Sequence, residues 1–542
     1  MGAAWMMLAT VLSKGATFVA QIAMGLILIP EHFALFSYAA AATKLLSICQ
    51  DAGVKDLLVQ EGHERYPRLS GPIFWFAATF NVSVGAFIAL LTPAIVWYYD
   101  EPRLQQMVLI LLLAIPLGTP SAILSTKLRL DLRFKSLGVV ASLIGILRQG
   151  GQIFLAVAGA AEMSFIYPAV ACAALESVLL WWISRDSPWK RPAEVSTWPG
   201  LIARTKYLIL GSVANLLLDQ GPYLVLQPAL RLLGGLSKPV ADAVQGNVYW
   251  AFQMTAQIGV LLSYNMQIVL APVFQRLSHD PERLRLSLFR TLGALMMLGS
   301  ITSIGFGVVM NPLEKIIFQG KWQDATPAIA IYGLFFPFRI LYGLTTAAQL
   351  ATGRTAAYFW TTLIQGSVFT LSAVAAGFFV DTPTGAAWWT GVALATVMLG
   401  VTLHVLHDLG IRRREALVEM CWPWLLAVLA GGVGYVIDSV LPLRTMIEYR
   451  WGANELIAVE VTPVFGLWGD LVREMSEQGL SAAAQARVLQ TARFLIMGFS
   501  CAFSFMFFAR LMMPDVLREV LHIVPGPLGR LGERLLFVLD RD

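Results

Sequence analysis

Residues 3–29 read AAWMMLATVLSKGATFVAQIAMGLILI, an apolar run whose one charge is Lys14. At about 1.5 Å per residue, such a helix covers a hydrocarbon core of roughly 30 Å with residues to spare. The run exceeds the roughly 7 to 15 residues of a signal-peptide core, has no Lys or Arg ahead of it and lacks a convincing cleavage site. It is therefore expected to be a retained membrane helix. Lys14 sits near its middle, where a cation costs roughly 2.5 to 3.5 kcal/mol on insertion scales. Such a charge asks for a polar cavity or an anionic partner.

The rest of the chain repeats this pattern. Its 542 residues are 57% hydrophobic and 13% charged, with a mean hydropathy of +0.67, which excludes an ordinary soluble domain. About fourteen stretches have the length of a membrane crossing. Their expected spans are 4–29, 33–58, 71–98, 107–127, 137–160, 164–184, 206–230, 246–273, 287–312, 326–350, 356–380, 385–406, 418–440 and 491–513. With the N-terminus inside, most of the 39 Lys and Arg fall in cytoplasmic connections, among them Arg129, Arg133, Lys135, Arg185, Arg191, Arg354 and Arg412–Arg414. Arg103, Arg231, Lys238, Lys321 and Arg493 belong to the smaller outer set. This segregation expects both termini in the cytoplasm, and hence an even number of crossings. The net charge of +5 decides nothing by itself, because basic loops facing an anionic leaflet produce the same excess.

Internal repetition is weak but visible. Segment two ends in a loop at His63–Leu69 and segment eight ends at His279–Leu284; segments four and ten carry Pro116 and Pro337, each followed seventeen residues later by Arg133 and Arg354. These offsets suggest two six-helix lobes, residues 1–186 and 200–410, followed by a thirteenth helix at 415–440. An outer insertion at 441–490, a fourteenth helix at 491–513 and a cytoplasmic amphipathic tail at 514–542 complete the chain. In the insertion, a helix-like run from Asp470 to Arg493 offers Leu471, Val472 and Met475 as an apolar face for the outer membrane surface; a variable insertion without a direct role is the alternative. In the tail, Val516, Leu517, Val520 and Leu521 suggest an interfacial helix.

Four cations lie deep in apolar segments: Lys14, Lys44, Arg148 and Arg339, the last just after Pro337. Two acids, Glu176 and Asp219, share their depth, and Asn215, Gln220, Asn247, Gln253, Gln257 and Asn265 cluster nearby in segments seven and eight. One reading pairs acids and bases into buried bridges, for example Asp219 with Lys14 or Glu176 with Arg148. The other is a cationic cavity in which Arg forks and Lys ammonium groups receive phosphate or acidic sugar, with Asp219 or Glu176 exchanging a proton or Na⁺. Four cations against two acids leave a surplus for the second. Cys49, Cys172, Cys421 and Cys501 are scattered in apolar segments, with neither disulfide nor zinc spacing. His404, His407 and Asp408 have helical ligand spacing but sit beside three arginines, as a solvated helix end would. No P-loop occurs, and no loop shows a catalytic constellation or a nucleic-acid motif, so neither a cofactor nor direct ATP use is expected.

Several stretches resemble the polysaccharide flippases of the O-antigen type, within the multidrug, oligosaccharidyl-lipid and polysaccharide exporter superfamily. They are Leu28-Ile29-Pro30-Glu31-His32-Phe33, Asp51-Ala52-Gly53-Val54 with Leu58-Val59-Gln60, Leu128–Lys135, Phe318–Pro327 and Ala351-Thr352-Gly353-Arg354. The resemblance covers roughly residues 4–440. It departs at Gln319, where a glycine-led turn is more usual, and in the long insertion. It implies an all-α, MATE-like membrane protein: a twelve-helix, two-lobed core plus two helices around a cationic cavity. The implied cargo is a polyprenyl-diphosphate-linked oligosaccharide moved to the outer leaflet of a bacterial inner membrane, with polysaccharide polymerase and glycosyltransferases as partners. Two alternatives stand beside it: a drug or cation antiporter of the same fold, and a membrane-embedded glycosyltransferase or polysaccharide polymerase.

Overall fold

The computed structural model describes residues 2–51, 54–131, 133–441, 447–451, 456–461, 467–478, 480–514 and 516–518. The side chains of 2–14, 41–51, 54–57, 59–63 and 258–269 are among those outside the description. Helices follow one another as α1 (Gly2–Ile27), α2 (Pro30–Asp51), α3 (Val54–Tyr99), α4 (Arg103–Leu112), α5 (Ala114–Leu130), α6 (Phe134–Val157), α7 (Met163–Ser184) and α8 (Trp198–Leu232). They continue as α9 (Lys238–Leu277), α10 (Pro281–Ile317), α11 (Thr326–Ala351), α12 (Thr355–Phe379), α13 (Pro383–Asp408) and α14 (Arg413–Val440). A hairpin of β1 (Ile447–Trp451) and β2 (Leu456–Val461), then α15 (Leu467–Glu477) and α16 (Ala482–Met512), complete the order. Helices dominate because each satisfies its own backbone polar groups, which hydrocarbon cannot. Ten helices among the described residues are long and apolar enough to cross a membrane, and the element order accommodates the fourteen expected crossings with α4 and α5 as one.

Three expectations change at the level of elements. The loop placed at His63–Leu69 is helical, part of a long α3 that continues through Pro67 and Pro72. The fourth span breaks at Leu113, because Pro116 has no N–H and its ring meets the carbonyl of Leu112 four residues back. Leu113 N–H turns instead to Ile110 O at 3.1 Å. The run Asp470–Arg493 is two helices, with Ser481 capping the second by accepting from Ala484 N–H at 3.4 Å.

Contacts divide the chain into two compact units. The first holds Met1–Trp250 with Gly353–Ala393. Within it α1 packs on α6, α2 on α8, and α8 most extensively on α12. That last pair approaches closely at glycines: a Cβ on Gly377 would lie 2.5 Å from the Ala229 side chain, and one on Gly366 2.8 Å from Leu217 Cβ. The repeat also surfaces here in backbone form. Arg133 and Arg354, paired in the sequence by their offset from a proline, start α6 and α12 with nearly the same dihedrals, φ −83°/ψ 48° and φ −83°/ψ 55°.

The second unit holds Ala251–Thr352 with Leu394–Asp542. Its core joins Met297, Ile304 and Val308 of α10 to Leu426, Ala427 and Ala430 of α14 and to Met497, Cys501, Phe505 and Ala509 of α16. Leu517 is buried in this same core, so that part of the expected interfacial tail packs on protein; Val520 and Leu521 lie outside the described residues. The insertion likewise folds onto its own unit. Val472 and Met475 of α15 are buried with Ile447, Ala486 and Leu489, a corrected outcome for the face expected to lie on lipid. An antiparallel ladder from Ile447↔Val461 to Arg450↔Ala458 supplies the other wall, since burying apolar side chains against β-strands and α16 removes them from water as lipid would.

Candidate functional site

The midplane residues occupy both units. In the first, α6 carries Arg148 and α7 carries Glu176; the two interact electrostatically, with Cys172 also against the guanidinium. The next residue on α6, Gln149, donates from Nε2 to Thr17 Oγ1 of α1 at 3.1 Å, tying the charged turn to the first helix. Arg148 has exposed surface area, whereas Glu176 is half-buried. A paired yet exposed guanidinium can still present donors to an anion. Asp219 of α8 is half-buried and engaged in an interaction. In the second unit, Arg339 of α11 is half-buried, with its Cζ 4.8 Å from the centre of the Tyr342 ring and further interactions around it. Lys14 belongs to α1 and Lys44 to α2, with side chains outside the described residues. Thus Arg148 and Glu176 are brought together, and Asp219 and Arg339 are each engaged. His404 and His407 lie 3.8 and 3.9 Å from Asp408 on an exposed helix end.

A second assembly, absent from the sequence reading, joins α2–α4 to α8 and α9 within the first unit, at the end expected outside. Its rim is ionic and centres on Glu101, buried in the turn between α3 and α4. Arg103 Nε donates to Glu101 Oε1 at 2.8 Å and Lys238 Nζ to Oε2 at 2.9 Å. Arg103 also reaches Glu31 at 2.8 Å and Glu162 at 3.5 Å. Arg231 pairs with Asp100 at 3.3 Å, and Lys238 Nζ donates to Asp100 O at 2.6 Å. Burial pushes the Glu101 carboxyl up, but hydrogen bonds from Arg103 and Lys238, with their charges, outweigh it and bring it down to about 2. A depressed pKa adds to closure above the ordinary carboxylate range and loses that contribution only as pH falls towards about 2.

Beneath the rim lies a buried layer. Tyr38 OH donates to Asp242 Oδ1 at 2.9 Å, and Gln227 Nε2 donates to the same oxygen at 3.0 Å. Gln245 Nε2 donates to Ser37 Oγ at 3.1 Å and Tyr223 O at 3.3 Å. Tyr38 stacks on Tyr99 at 4.4 Å, and Tyr99 OH donates to Leu224 O at 2.8 Å. The backbones touch as well: a Cβ on Gly246 would overlap Pro30 O. Seen along the sequence, the signal was the company each outer cation keeps: Arg103 follows Glu101, and Lys238 precedes Asp242 by one helical turn.

A third polar cluster belongs to the second unit. Arg493, counted among outer-loop cations, is 1% exposed, with its Nη2 donating to Asp438 Oδ2 at 2.6 Å and its Nε to Oδ1. Its Nη1 donates to Asn311 Oδ1 at 3.1 Å and Gln490 Oε1 at 3.3 Å. Through these bonds from one buried guanidinium, the cluster locks α10, α14 and α16 together.

The family model described as "Polysaccharide biosynthesis protein" matches residues 24–327. The chain is 21% identical over 445 residues to the lipopolysaccharide biosynthesis protein WzxC of Escherichia coli (strain K12), covering 81% of this chain and 87% of that protein. Among solved structures it resembles the lipid II flippase MurJ in an inward closed conformation, with a TM-score of 0.65, 12% identity, and 94% and 99% of the two chains covered. A multidrug resistance MATE family transporter in an inward-facing conformation aligns with a TM-score of 0.52, 13% identity, and 76% and 94% covered. At these identities the structural likeness is one of fold.

Proposed function

We propose, from the premise that the chain belongs to the polysaccharide biosynthesis protein family, that it is a transporter rather than an enzyme: a flippase carrying a polyprenyl-diphosphate-linked oligosaccharide from the cytoplasmic to the outer leaflet by alternating access. The observation that carries this reading is the closure of α2–α4 against α8 and α9 through side-chain hydrogen bonds and ion pairs. Polar contacts of this kind exchange for water at little net cost, about 0.5–1.5 kcal/mol each, so the layer can part and re-form. The relative named for lipopolysaccharide biosynthesis, and the likeness in fold to a lipid II flippase, support a lipid-linked glycan as cargo.

In this reading the protein lies in a bacterial inner membrane with both termini cytoplasmic, and lobes 1–186 and 200–410 rock about a midplane cavity. Lys14, Lys44, Arg148 and Arg339 receive the diphosphate or acidic glycan. Glu176 or Asp219 takes up a proton or Na⁺, and polysaccharide polymerase and glycosyltransferases act on the same glycan. The cargo must bind the two states unequally, since equal affinity shifts nothing.

The test is a reversible lock. Ser37→Cys with Gln245→Cys, in a background lacking the native cysteines, places thiols across the buried layer. Oxidised protein in vesicles is expected to lose translocation of a fluorescent lipid-linked oligosaccharide, and reductant to restore it. Unchanged translocation by fully cross-linked protein would remove the closure from the cycle. Glycan elongation without movement would favour the polymerase reading.

A further inference from the structure

At the opposite end of the first unit, an open cavity of about 740 Å³ lies between the start of α6 and the end of α7. Arg133, Lys135, Ser136 and Val139 form one wall, and Trp182, Ile183, Ser184 and Arg185 the other. Three of these eight residues are cations and none is an acid. Asp186, the acid after Arg185, is committed elsewhere, since Arg191 lies 2.7 Å away and Tyr66 OH donates to it at 3.0 Å, while Asp131, ahead of Arg133, and Lys135 each make an interaction of their own. One cation is fixed in place, because Arg133 Nη1 donates to Ile183 O at 3.1 Å and bridges the two walls. The start of α6 lies at this cavity, and no side chain of its N-cap residue Arg133 caps the first-turn N–H groups.

The apolar part of the cavity names the rest of the ligand. Trp182 is 76% exposed and Val139 53% exposed. From each, exposed apolar side chains continue at helical spacing, Leu143 and Ile146 along α6, Val178 and Leu175 along α7. A free anion would gain nothing from these tracks, whereas a lipid would lay its hydrocarbon along them while its headgroup met the cations. Trp at this level suits the boundary between headgroups and hydrocarbon. We propose that this cavity is a specific site for the phosphate-bearing headgroup of an acidic lipid, one of net negative charge, held by Arg133, Lys135 and Arg185, with its chains on α6 and α7. The site is independent of the flippase reading, because it rests on residues that take no part in the closure or the midplane cluster.

Two variants separate binding from folding. Lys135→Gln removes one cation. Arg185→Gly removes another at a position whose φ of 49° favours glycine, so the fold gains while the site loses a charge. Full-length protein in detergent is titrated with phosphatidylglycerol, polyprenyl diphosphate, phosphatidylcholine and inorganic pyrophosphate, and binding is read by native mass spectrometry and thermal shift. Saturable binding of one or both acidic lipids is expected, weakened about tenfold by either variant. The tighter of the two identifies the source, bilayer lipid or substrate lipid. Equal binding of phosphatidylcholine, pyrophosphate as tight as the lipids, or unchanged affinity in both variants would each overturn the proposal.

Discussion

Gln319 shows how a single backbone angle carries information that a residue name does not. It stands at φ 57°, followed by Gly320 at φ 94°, in the turn after α10 where Glu314 accepts from Trp322 N–H at 2.9 Å. The left-handed region costs a residue with a Cβ roughly 1–2 kcal/mol. The resemblance led to glycine at this position, and the fold keeps the glycine-type conformation with glutamine in it. Gln319→Gly is therefore expected to stabilise the protein by about 1 kcal/mol, read as a higher melting temperature in detergent. A lower one would mean that the glutamine side chain contributes more than its backbone costs.

At the scale of elements, α16 explains a charge that its sequence disguised. Arg493 stands four residues ahead of Met497, which Cys501, Phe505 and Ala509 follow at the same interval, so it extends the stripe that α16 buries against α10 and α14. A topological count treats it as an outer cation, because nothing in α16 alone names Asp438 as its partner. Arg493→Ala is expected to cost about 3–5 kcal/mol by leaving a buried carboxylate unpaired. Arg493→Met combined with Asp438→Leu should recover most of that loss in chemical denaturation. Equal losses for the single and double variants would show that the pair is not the cause.

For the whole molecule, what matters is which closure the fold permits. Gly246 lets α9 approach Pro30 of α2, and the Tyr38–Asp242 and Gln245–Ser37 bonds form at that distance. Gly246→Leu should hold this layer apart. A cysteine at Ser37, fully buried in the closed layer, is then expected to react faster with a membrane-impermeant maleimide. Unchanged labelling in a well-folded variant would show that the helices do not need this approach to close. The same closure explains why α8 and the start of α9, up to Trp250, group with the first helices rather than with the rest of 200–410, and α12 follows through its packing on α8.

The amino-acid sequence by itself determined the membrane class, the order of crossings and the family likeness, because apolar run length and loop charge are local quantities that a bilayer reads directly. It also marked Arg133 and Arg354 as equivalent and set Arg148 beside Glu176 as a candidate pair. Tertiary structure alone decided the partners: Tyr38 finds Asp242 across 204 residues, Arg493 finds Asp438 across 55, and the insertion's apolar face finds a hairpin instead of lipid. A charge in hydrocarbon must be compensated, and the sequence states that need, but only packing chooses which side chain meets it.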